Sequence, residues 1–196
     1  MTTRNLIVTG TTVDLSRRAL FRRAGQTTLS AAAVALLAGA PGLVSGSAYA
    51  ATMEDDVRIL NTALGLEWEA IAAYQVGAES GLLQKPVLDV AVMFQGHHKE
   101  HADVLTATVK KLGGSPVMAK AKYSFPTDQL KNQADVLRFA AGLEKGAASA
   151  YLGAVPLFMN KDLSKAAASI MGDETMHWAV LRNVLGENPV PAAFIS

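Results

Sequence analysis

Gly96-His97-His98-Lys99-Glu100-His101-Ala102-Asp103-Val104-Leu105 and Gly172-Asp173-Glu174-Thr175-Met176-His177-Trp178-Ala179-Val180-Leu181 read as one segment written twice. Aligning His101 with His177 also pairs Gly96 with Gly172, His98 with Glu174, and the two Val-Leu steps. A second matched pair lies upstream of each segment. Leu66-Glu67 leads to Ala73-Tyr74, and Leu143-Glu144 leads to Ala150-Tyr151 at the same spacing. A duplicated pattern of this kind predicts two helical hairpins facing each other around a shared polar centre. Carboxylates and imidazoles meeting inside an apolar bundle call for a cation to offset their burial.

The helical periods extend outward from these segments. Thr52-Met53-Glu54-Asp55 resembles a capping box. Ile59, Leu60, Ala63, Leu64, Leu66, Ile71 and Tyr74 then keep a helical spacing from about Asp55 to Leu83. Gln84-Lys85-Pro86 predicts a tight turn, with Pro86 opening a second helix that runs to about Leu112. Gly113-Gly114-Ser115-Pro116 stops that helix. Residues 113–126 form a loop, which can reach ~45 Å when extended. A third helix is expected from the N-cap Thr127 to Pro156, and a fourth from Asn160 to Leu185, with Gly186 as its stop. No alternating strand pattern competes. The expected fold is therefore all-α: an antiparallel four-helix bundle, two hairpins joined by one long crossover.

Residues 1–50 read as a leader rather than as fold. Ser16-Arg17-Arg18-Ala19-Leu20-Phe21 carries a twin arginine, a weakly apolar stretch follows, and Ala48-Tyr49-Ala50 suits a small-residue cleavage site. Cleavage after Ala50 would leave one domain at 51–196, periplasmic or secreted, with the twin-arginine export machinery as a partner during transport. The apolar run is shorter than the ~20 residues of a membrane span, so no stable membrane anchor is expected. Removing five Arg and one Asp from 18 Lys+Arg and 17 Asp+Glu leaves 13 against 16, a net −3. That balance speaks against nucleic acid as a partner. Cysteine is absent, which excludes disulfides, thiolate metal sites and thiol catalysis.

Levels along the bundle bring the polar residues together. Glu67 stands ~24 Å and His98 ~18 Å below the first hairpin turn, and Glu144 and Glu174 are near-level about the second. His98 with His101, and Glu174 with His177, share a face at i, i+3. The candidate metal ligands are thus Glu67, His98, His101, Glu144, Glu174 and His177. Tyr74 and Tyr151, two turns from the glutamates, are ordinary core residues or hydroxyl donors to the carboxylates. Glu69 reads as outward, Glu100 as outward or just behind the ligands, His97 and Asp173 as off the inner face, and Trp68 and Trp178 as packing between helices. Each residue alone has a structural explanation; their repetition in register does not.

Over residues 54–186 these motifs resemble the ferritin-like superfamily, in particular its exported bacterial members. In that superfamily the first and third helices each give one glutamate to a dinuclear centre, and the second and fourth each give Glu-x-x-His. The resemblance implies Glu67 and Glu144 as terminal ligands, Glu174 as a bridging ligand, and His101 and His177 as nitrogen ligands. His98 departs from it by standing where a second bridging glutamate belongs. The resemblance further implies iron or manganese, dinuclear or mononuclear, with zinc also compatible, and reaction with dioxygen or peroxide; it names no catalytic residue. Alternatives are a non-catalytic structural or stress-related bundle with one metal or none, and an iron-storage shell, which lacks the expected fifth helix. A monomer or dimer is favoured over a larger oligomer.

Overall fold

The computed structural model describes residues 52–195. Among them every long element is a helix: α1 Met53–Glu79, α2 Lys85–Lys111, α3 Gln133–Ala154 and α4 Lys161–Val184. Single 3-10 turns stand at Thr127–Gln129 and Val155–Leu157. The expected leader and its cleavage site lie outside the described residues. No described helix is long and apolar enough to cross a membrane.

Local chemistry sets the ends. Thr52 and Asp55 form a reciprocal capping box at the start of α1. Helix α1 stops at Glu79, earlier than the Leu83 that its apolar spacing suggests. Gly81 takes φ 70°, a left-handed conformation that breaks the helix and costs glycine nothing. Helix α2 ends in a Schellman motif, with Gly114 N–H on Val109 C=O at 2.9 Å and Gly113 N–H on Lys110 C=O at 3.0 Å. A Cβ on Gly114 would stand 2.6 Å from Val57 Cγ1, so the turn also depends on this glycine for packing. Helix α3 begins six residues later than expected. Thr127 opens only a 3-10 turn, Leu130 is extended, and the side chain of Asn132 caps the helix by accepting from Asp135 N–H at 3.0 Å.

The crossover between α2 and α3 is fastened along α1. Asn61 donates to Ser115 C=O at 3.0 Å and accepts from Val117 N–H at 2.8 Å, and the Trp68 indole donates to Val117 C=O at 3.2 Å. The two hairpins are tied at their far end by Asp56. Its buried carboxylate accepts from the N–H groups of Met159 and Asn160 at 2.9 and 3.1 Å, satisfying free donors where α4 begins. Within each hairpin the helices pack closely, and α1 also approaches α3, where Gly77 leaves room for Val136.

Two apolar clusters fill the interior. One gathers Leu60, Leu64, Leu105, Val109, Phe158 and Ile170; the other gathers Tyr74, Phe94, Leu137 and Leu181. The polar residues of the duplicated motif form a layer between them.

Candidate metal centre

Each helix supplies its part of the layer from a mid-helix position, where the backbone is held most rigidly. Glu67, His98, Glu144, Glu174 and His177 are each at most 2% exposed, an unusual density of buried ionisable groups. His101 completes the inner set with its ring partly reaching solvent. All six sequence candidates therefore meet.

His98 sits at the centre. Its Nδ1 lies 2.8 Å from Glu67 Oε2 and its Nε2 lies 3.3 Å from Glu144 Oε1, so one ring joins the glutamates of α1 and α3. The tyrosines do cap the carboxylates, but crosswise between hairpins. Tyr74 of the first hairpin donates to Glu144 of the second through a short hydrogen bond. Tyr151 of the second donates to Glu67 Oε1 of the first at 2.6 Å. Sequence spacing put each tyrosine two turns from its own glutamate and so did not reveal the exchange.

Glu174 differs from the other two carboxylates. Both of its oxygens are buried without a hydrogen bond, as are Nδ1 of His101 and Nδ1 of His177. These orphaned atoms face one another: His101 Nδ1 is 3.2 Å from Glu174 Oε1, and His177 Nδ1 is 3.8 Å from Glu174 Oε2. Native interiors rarely leave such groups unpaired, because each costs about 1–3 kcal/mol.

The protonation pattern follows from this geometry. Burial opposes the charge of His98, yet hydrogen bonds to Glu144 and Glu67 override it and push the ring up to about 11. His101 and His177 are likewise disfavoured by burial and raised to about 9 by the carboxylates beside them, Glu174 and Glu67 for one, Glu144 and Glu174 for the other. Burial also works against Glu67 and Glu144, but His101 and His98 hold Glu67 below the ordinary carboxylate range, and Glu174, followed by His177 and His98, holds Glu144 below it. Glu174 is pushed up to about 7, first by burial and then by Glu144. Burial and the adjacent carboxylates raise both tyrosines well above their usual range, so they stay protonated donors.

An outer group was not anticipated as part of the site. Asp173 Oδ2 lies 3.2 Å from His177 Nε2, 3.4 Å from His101 Nε2 and 3.3 Å from His97 Nδ1. One half-buried carboxylate thus faces the outer nitrogens of both histidines whose inner nitrogens are orphaned. His97 Nδ1 also lies 2.9 Å from His177 Nε2. Phe94 stacks on the His177 ring with centroids 3.9 Å apart and fixes its plane. The alignment of His97 with Asp173 was the available signal; their half-exposed positions hid its meaning. Glu100 is exposed as expected, and Trp68 and Trp178 pack partly buried against the two apolar clusters.

Three overlapping sets can hold an ion, with donor atoms mutually within 4.8 Å: Glu67, His98, His101 and Glu174; His98, Glu144, Glu174 and His177; and the outer His97, Asp173 and His177. The donor chemistry fits a metal, since the unpaired inner atoms are those that an ion would satisfy.

Residues 55–187 match the model of the ferritin-like domain family. The chain belongs to that family. A crystal structure of a conserved hypothetical protein from Mycobacterium tuberculosis shares the fold, with a TM-score of 0.63 and 24% identity over 73% of this chain and 99% of that one. No curated protein is significantly similar in sequence.

Proposed function

We propose that this ferritin-like protein is an exported metal-binding protein whose mid-bundle layer holds two divalent ions of the iron or manganese type. One observation carries the reading. The buried atoms without a hydrogen bond include His101 Nδ1, His177 Nδ1 and both oxygens of Glu174, and they stand in two pairs, His101 Nδ1 3.2 Å from Oε1 and His177 Nδ1 3.8 Å from Oε2. An ion on each side of Glu174 would satisfy all four. Glu67 and His101 would complete one side, and Glu144 and His177 the other. Bound there, iron or manganese would supply one-electron chemistry toward dioxygen or peroxide.

The chain's own groups suit that role. Tyr151 holds Oε1 of Glu67, leaving Oε2 to face His98, and Tyr74 holds Oε1 of Glu144, the oxygen that also faces His98 and His177. The apolar clusters above and below keep bulk water from the layer. The half-exposed His97 and Asp173 supply a polar approach from solvent. Asp173 Oδ2 stands 3.4 Å from His101 Nε2 and 3.2 Å from His177 Nε2, favouring a proton on each outer nitrogen and leaving each inner nitrogen to ligate.

A second reading rests on His98. Its ring, charged and bonded to two glutamates, already offsets part of the buried negative charge. In that reading the bundle is a non-catalytic envelope protein with one metal or none. Metal analysis separates the two. Purified protein, expressed with iron and manganese supplied, should carry metal and melt higher with it. Near-zero metal together with unchanged melting on adding either ion contradicts the leading reading. Export rests on the twin arginine, and replacing Arg17 and Arg18 by lysine should retain the protein in the cytoplasm, as fractionation would show.

A further inference from the structure

We infer that His98 itself bridges the two ions, as an imidazolate, in the place where the family uses a second bridging carboxylate. The inference rests on the proposed metal centre and specifies how this chain completes it.

The two inner sets share two residues, Glu174 and His98, and each of these offers a different atom to each side. Glu174 turns Oε1 toward His101 at 3.2 Å and Oε2 toward His177 at 3.8 Å. His98 turns Nδ1 toward Glu67 Oε2 at 2.8 Å and Glu174 Oε1 at 3.6 Å, and Nε2 toward Glu144 Oε1 at 3.3 Å. Each side is therefore a set of two nitrogens and two carboxylate oxygens. An ion about 2.0–2.1 Å from four tetrahedral donors sets those donors about 3.3–3.4 Å apart. On the first side the four nitrogen–oxygen edges run from 2.8 Å to 3.6 Å. On the second, the edges from Glu144 to His98 and His177 and from His177 to Glu174 run from 3.3 Å to 3.8 Å. All donors of each set lie within 4.8 Å of one another, so small side-chain shifts bring each set to an ion.

Charge points the same way. Two divalent ions bring four positive charges, and Glu67, Glu144 and Glu174 return three negative ones. An imidazolate at His98 supplies the fourth inside a layer that excludes water. Without metal the same ring spans Glu67 and Glu144, one nitrogen toward each. With an ion on each nitrogen the ring holds no N–H, and every proton it carried leaves to bulk water. No electron is transferred. The ring thus keeps the site assembled when empty and links the ions when full.

The test uses protein carrying the heavy nitrogen isotope in histidine, loaded with a spin-half cadmium isotope and examined by magnetic resonance. The chain has 4 histidines, so the spectrum is simple to assign. Wild type should bind two cadmium ions, with one ring whose two nitrogens both couple to cadmium. That ring should vanish in His98→Glu, which should keep both ions through a carboxylate bridge. His98→Asn should weaken the second ion by more than the roughly 10–100-fold typical of losing an outer partner. Two bound ions with no doubly coupled ring would overturn the inference, because a bridging hydroxide would then carry the charge. So would a doubly coupled ring that survives His98→Glu, since His177 would be its source. A single bound ion overturns the bridge but leaves a metal-binding protein. No bound ion overturns both.

Discussion

The two hairpins present the same backbone to the centre and different chemistry. From α1 and α3 come a glutamate and a tyrosine each, and the tyrosines are exchanged between halves. The contribution of α4 is Asp173, Glu174 and His177, while α2 gives His97, His98 and His101 at the matching positions. Two carboxylates on one side are thus two imidazoles on the other. Backbone symmetry places six donors at one level, and the side-chain asymmetry decides how charge is balanced there. The first hairpin brings its own potential cation; the second brings Glu174, whose two oxygens lack a hydrogen bond among the described residues.

If that contrast is correct, Glu174 is the most sensitive position. Glu174→Gln should abolish binding of both ions and yet raise the melting temperature of the metal-free protein. It removes a buried carboxylate whose unsatisfied oxygens cost about 1–3 kcal/mol. Equal loss of melting temperature with and without metal would mean that Glu174 is structural. This is the pattern of a functional group retained at the expense of stability.

Asp173→Asn addresses the outer shell. Because one carboxylate serves both His101 and His177, metal affinity should fall by roughly 10–100-fold at both ions together, measured by competition with a chelator. A change confined to one ion would show that the sharing is not functional.

Tyr74→Phe and Tyr151→Phe probe the exchanged hydrogen bonds. Each leaves one buried carboxylate short of a donor and should cost about 1–3 kcal/mol in the metal-free protein by denaturant unfolding. The costs should be similar, since the halves are alike here. A large inequality would break the symmetry at the one level where the hairpins match.

The pH response of the metal-free protein is the gentlest test. His98, His101 and His177 are raised to about 11, 9 and 9, so their stabilisation is complete below about 6.5. It is lost as pH rises through the raised values. Glu174, raised to about 7, likewise contributes below its ordinary range and loses that contribution on the way up. Glu67 and Glu144 are depressed, so their share is present above about 4.5 and lost in acid. Melting temperature should therefore peak in mildly acidic solution and decline toward pH 9 and above. The increment given by metal should grow across the same range, as protons stop competing for the nitrogens. A metal-free melting temperature that rises from pH 7 to 9 contradicts the assignment.

Much of this was legible before any coordinates. Helical spacing and the glycine and proline stops give four helices, and the duplicated motif gives six candidate ligands at one level. What the sequence hid depends on contacts between helices. Tyr74 reaches Glu144 rather than Glu67 because facing hairpins exchange side chains across their interface, which spacing within one helix does not encode. His97 and Asp173 lie off the inner face; the i, i+4 spacing on α4 already carries Asp173 to His177, and the approach of α2 to α4 adds His97 and His101 to the same carboxylate. Asp56 looks like one more acidic residue in a helix's first turn, yet it caps another helix. The start of α3 was misplaced because Thr127 and Asn132 are both good caps, and the extended Leu130 between them is set by the crossover.

A cation between the four helices at Glu174 would be seen in crystals of protein loaded with iron, by anomalous diffraction at the iron edge. Two peaks should flank the Glu174 carboxylate, one beside Glu67 and His101, the other beside Glu144 and His177. A layer with no anomalous density, or peaks only at surface carboxylates, would contradict it.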